Sequence, residues 1–85
     1  MPMFRKLPVT VDAVQWVGPG LPDAPAWAVE AAQYGVIKVA GGRVEVSTVD
    51  GVLSAEPGDW IVKGAEGEIY PVKADIFAAS YEAVS

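Results

Sequence analysis

The sequence predicts an α+β fold: a small antiparallel β-roll or barrel of about six to seven short strands, with one α-helix after the first strand. Three observations predict it. Only the stretch 21–34 has apolar residues at helical spacing. The chain on either side alternates or runs apolar in short blocks, rich in Val and Ile. Turn signals built on Gly, Pro and Asp separate those blocks at short intervals. With 85 residues, 1–85 is read as a single domain.

The first strand is read at 8–16. There Val9, Val11 and Ala13 share one face, and Thr10, Asp12, Val14 and Trp16 share the other. Gly18, Pro19 and Gly20 end it. The helix follows, with Asp23 as N-cap and Pro25 in the first turn, where a missing N–H costs nothing. Trp27, Ala31 and Tyr34 form its apolar stripe, and Gly35 is placed to end it. Short strands are then read at 36–39, 43–49, 52–55, 60–63 and 68–72. Gly41-Gly42 and Asp50-Gly51 are hairpin turn signals, Pro57-Gly58-Asp59 is a turn, and Glu66-Gly67 is another. Pro71 puts its strand at an edge, because proline cannot donate to a ladder. A short helical turn is read at 75–77 and a last strand at 80–84. Phasing nominates Val11, Val14, Trp16, Trp27, Ala31, Val44, Val46, Trp60, Val62, Ile76 and Phe77 as core.

Composition narrows the function. There is no cysteine and no histidine. This removes thiolate and imidazole metal sites, the usual general base near neutral pH, and every Ser-His or Cys-His arrangement. No metal and no cofactor are expected. The net charge of −5 would repel a nucleic-acid backbone, and the six cations are scattered, so no nucleic acid is expected either. No apolar run is long enough to cross a bilayer as a helix, and the first residues lack the apolar core of a signal peptide. A cytoplasmic location follows as the expectation.

Two blocks of the sequence carry a resemblance. One is Phe4-Arg5-Lys6 with Pro8-Val9 and Ala13-Val14-Gln15-Trp16. The other runs from Pro57-Gly58-Asp59-Trp60-Ile61 and Lys63-Gly64 through Gly67-Glu68, Tyr70-Pro71, Lys73 and Asp75-Ile76-Phe77 to Tyr81-Glu82. Together they resemble a family of short uncharacterised proteins of tailed phages and prophages. The resemblance implies a phage gene product expressed in the host cytoplasm, and it implies no activity. Members often have a Cys soon after the Tyr-Pro pair. Val72 stands there in this chain, which argues against a required thiol.

Polar residues are densest between 59 and 75. Asp59, Lys63, Glu68, Tyr70, Lys73 and Asp75 are the candidate binding residues, with Trp60 and Tyr70 as aromatic anchors. A strand–turn–strand unit projecting alternate residues would bring Lys63 towards Glu68 and Tyr70. The same residues also suit a plain role as solvated strand faces and turn formers. Glu66 and Glu68 are the one pair of carboxylates that could share a strand face and perturb each other. Without a histidine or a defined cleft, catalysis is not expected and no catalytic residue is nominated. The leading function is a non-catalytic binding module for a host or phage protein. One alternative is an anti-defence protein that sequesters a small molecule or nucleotide. That would need a homo-oligomer, because a roll of this size has little room for a pocket of ~300 Å³. The other alternative is a minor virion assembly component.

Overall fold

The structure is a computed structural model and describes residues 2–4, 9–17 and 24–83. The elements run β1 (Asp12–Gln15), α1 (Ala26–Gln33), β2 (Ile37–Ala40), β3 (Arg43–Thr48), β4 (Gly51–Ala55), β5 (Trp60–Lys63), β6 (Ile69–Val72) and α2 (Ala74–Ser80). They form two three-stranded antiparallel sheets, in the orders β1-β5-β6 and β2-β3-β4. This is the small α+β architecture the sequence predicts, with a helix directly after the first strand.

The second sheet is a meander made by two tight hairpins. Gly41 and Gly42 turn β2 into β3 with φ of 59° and 82°. Two successive residues in that left-handed region are what a two-residue hairpin turn demands, and glycine reaches it without strain. The second turn consists of Val49 and Asp50, one residue earlier than the sequence signal, so Gly51 opens β4. In the first sheet β5 is central, with Ala13, Val62 and Tyr70 in one cross-strand row and Val14, Ile61 and Pro71 in the next. β6 is an edge strand, as Pro71 requires.

One core lies between the sheets. Trp16, Ile37, Val44, Val46, Ala55 and Ile61 fill it, and Ala28 and Ala31 of α1 close it beside β2. The proposed N-cap Asp23 lies outside the described residues. Pro25 occupies the cap position, with no side-chain hydrogen bond. The other end is as expected: Gly35, at φ 78°, donates to the Ala32 carbonyl, and Val36 donates to the Ala31 carbonyl at 2.9 Å. That pair of bonds is a Schellman ending. Trp16 ties three segments together. Its backbone pairs with Asp59 and Gly58, and its indole Nε1 reaches the Gly42 carbonyl at 3.4 Å.

Four expectations change. The last strand read at 80–84 does not form over its described residues: Ser80 ends α2, and 81–83 are outside any strand. Three alanines favour the helix, so the turn read at 75–77 extends to the seven residues of α2. Ile76 is not core but 55% exposed, on the solvent side of that helix. Trp60 is only partly buried. Ile61, not Trp60, points between the sheets, because β5 is covered on both faces and its apolar run gives no phase.

Candidate functional site

The outer face of the first sheet carries Trp60, Val62, Tyr70 and Val72, and α2 lies over part of it. Phe77 of α2 stacks on Trp60, with centroids 4.2 Å apart and planes 8° from parallel. Tyr81 stacks on Phe77 at 4.7 Å. The hydroxyls of Tyr81 and Tyr70 are 3.4 Å apart. Three stacked rings, with Tyr70 joined to them through its hydroxyl, thus form a partly exposed aromatic cluster. Hydrogen bonding to Tyr81, then burial, then the charge of Glu68 push the Tyr70 hydroxyl up to about 12. Tyr70 therefore keeps its proton at neutral pH.

Asp59 holds the start of α2. It is 7% exposed. Its Oδ1 accepts the Ala74 N–H at 3.0 Å, and its Oδ2 accepts the Glu56 N–H at 2.9 Å and the Lys73 ammonium at 3.3 Å. Burial pushes this carboxyl up. The two backbone N–H groups and the Lys73 ammonium pull it down further, leaving it below its ordinary 3.8. A carboxylate with three donors is engaged within the fold. It caps a helix from a distant turn, which α2 lacks in its own N-cap residue, Lys73.

Five of the six candidate residues separate into two groups at opposite ends of the β5–β6 hairpin, and Tyr70 lies between them on β6. Asp59, Lys73 and Asp75 gather where α2 begins, with Lys73 and Asp75 exposed. Lys63 and Glu68 lie at the other end. Lys63 pairs with Ile69, while Tyr70 pairs with Val62, so Lys63 and Tyr70 point to opposite faces of the sheet and do not converge. Glu68 folds back over Gly64, and its carboxylate accepts the Glu66 N–H at 3.0 Å. A Cβ at Gly64 would collide with that carboxylate. Glu68 is thus part of the turn, and Glu66 and Glu68 are linked through a backbone N–H rather than as a carboxylate pair.

Beside α2 lies a shallow groove of about 200 Å³, lined by Leu53, Ser54, Asp59, Pro71, Val72 and Lys73. It marks the gap between β4 and β6, the facing edges of the two sheets. No family model, curated protein or solved structure matches the chain. Among the described residues no cluster of acidic, His or Cys side chains could hold a metal ion, and no helix is long and apolar enough to cross a membrane.

Phe77 and Tyr81 are the site residues that sequence reasoning missed. Their spacing of four was legible as one helical face. It was hidden because 80–84 reads as a strand, which assigns Tyr81 to a different element.

Proposed function

We propose that the chain is a non-catalytic binding module for a protein partner, a phage or prophage product acting in the host cytoplasm. The phage origin rests on the resemblance of the two sequence blocks. The observation that carries the binding reading is the stack of Trp60, Phe77 and Tyr81, joined to Tyr70 by its hydroxyl, along a helix that leaves Ile76 exposed. Stacked rings are rigid before a partner arrives, so docking on them orders few side chains. Aromatic anchors with a polar rim are the composition of interface hot spots, and Lys73 and Asp75 supply the rim. The chemistry fits recognition better than reaction. The one buried carboxylate among the described residues is fully engaged, and the perturbed tyrosine is held protonated. The groove is smaller than the ~300 Å³ of ordinary small-molecule sites, which weighs against sequestration within a single chain.

The test compares capture from host lysate by three variants. Ile76→Asp and Lys73→Ala, both at the α2 end, should melt as wild type does and lose the captured protein. Lys63→Ala, at the far end of the hairpin, should keep it. Retention by Ile76→Asp, or loss confined to Lys63→Ala, would remove α2 from the binding surface.

A further inference from the structure

α2 is a seven-residue helix with no buried residue, and Phe77 alone among its residues is even partly buried. Helices shorter than about 12–15 residues do not hold their shape alone in water. Its helical form therefore depends on what it packs against, and those contacts are strung along its length. At its start the Asp59 carboxylate accepts the Ala74 N–H at 3.0 Å and the ammonium of Lys73, the residue before it, at 3.3 Å. In its middle Phe77 stacks on Trp60. Just past its end the Tyr81 ring stacks on Phe77, and its hydroxyl lies 3.4 Å from that of Tyr70. The core cluster between the sheets contains no residue of α2. The first sheet is likewise complete without it, since β1, β5 and β6 pair with one another.

We propose that α2 is an order–disorder flap: it folds and docks in one step and melts and leaves in one step, with Asp59 as the latch that sets the balance, while the two sheets stay closed. Coupling of folding to docking follows from length. Once the Phe77 ring leaves Trp60, the helix is too short to persist, and its melting withdraws the Ala74 N–H from Asp59. Asp59 suits the role of latch because it stays in place when α2 leaves. Its other oxygen accepts the Glu56 N–H at 2.9 Å, and its backbone carbonyl accepts the Trp16 N–H at 2.9 Å. The acceptor is therefore preformed and fixed to the closed part of the molecule. Release takes the partner rings away from Trp60 and Tyr70. The binding surface proposed above then exists only in the docked state, a consequence that rests on that reading, whereas the flap itself does not. Order–disorder transitions of single segments are a common way to switch a surface on and off.

Native-state amide exchange on the wild type reads the flap with no partner present, so its failure would leave the binding reading standing. The Ala74 amide is bonded to Asp59, and the Tyr81 amide to the Phe77 carbonyl at 2.9 Å. One opening event should give the two amides equal protection factors, well below those of β3. A difference of about tenfold between them would mean fraying from one end, and protection equal to that of β3 would mean that α2 leaves only when the whole fold does. Either result overturns the proposal. Two variants sharpen it. Asp59→Asn keeps one accepting oxygen and loses the charge, so protection should fall by about tenfold or more at Ala74 and Tyr81 alike. A fall at Ala74 alone would reduce Asp59 to a local cap and overturn the latch. Val44→Ala weakens the space between the sheets equally whether α2 is docked or released. It should lower β3 protection by about tenfold or more and leave Ala74 and Tyr81 unchanged. A parallel fall at all of them would show that α2 does not open on its own.

Discussion

Ile61 and Val62 are neighbours on β5 and both are fully buried, yet they face different kinds of interior. Ile61 points between the sheets into a cluster of Trp16, Val44, Val46 and Ala55, where the fit of apolar volumes supplies the stability. Val62 points the other way, towards the face shared with Trp60 and Tyr70, over which lies a helix with no buried residue of its own. The inner layer has many interchangeable apolar contacts. The outer layer hangs on two specific devices, a ring stack and one buried carboxylate. The difference implies that α2 can loosen while the space between the sheets stays closed, and that the two layers answer to different perturbations.

The largest effect belongs to the inner layer. Trp16→Ala should cost ~3–5 kcal/mol and lower the whole denaturation transition, both layers together. An unchanged midpoint would mean that the inner core is not the main support of the fold. Asp59→Ala should come next, at ~1–3 kcal/mol, because it strands the Glu56 and Ala74 N–H groups. Its mark should be fast amide exchange at Ala74 and along α2, with β3 still protected. Equal loss of protection in β3 would show that the layers are coupled.

Acid sharpens the same point. A carboxyl held below its ordinary pKa in the folded state contributes stability above the unfolded value of 3.8. That contribution is lost as pH falls through the folded pKa. The stability advantage of wild type over Asp59→Asn should therefore be full near neutrality and shrink below about pH 4. A gap that stays constant into acid would show that Asp59 is not the latch. Phe77→Ala should cost less, ~1–2 kcal/mol, with a change in tryptophan emission as Trp60 loses its stacked partner. The smallest effect is expected for Lys73→Ala. Its side chain is 57% exposed at the ion pair, and exposed pairs contribute ~0–1 kcal/mol and less in salt. A loss comparable to that of Asp59→Ala would shift the weight of the latch from the backbone bonds to the ion pair.

Much of the fold was legible in the sequence because its devices are local. The Gly41-Gly42 turn, the Gly35 helix ending, the edge position forced by Pro71 and the turn before Trp60 each depend on a few adjacent residues and their φ preferences. What escaped was non-local. Asp59 reads as a turn former, and nothing nearby in the chain says that its second oxygen caps a helix fifteen residues later. Lys63 and Tyr70 read as convergent until the Val62–Tyr70 register assigns them to opposite faces.

The sequence by itself determined an α+β chain with one early helix, many short strands and no histidine or cysteine chemistry, since composition and local propensity act without knowledge of the partners. Tertiary structure alone decided which face of β5 looks into the core and that 74–80 is helix while 81–83 joins no strand. Those outcomes depend on which surfaces meet. An apolar run such as Trp60-Ile61-Val62 has no phase of its own, and its two faces become distinct only when a sheet packs on one and a helix on the other.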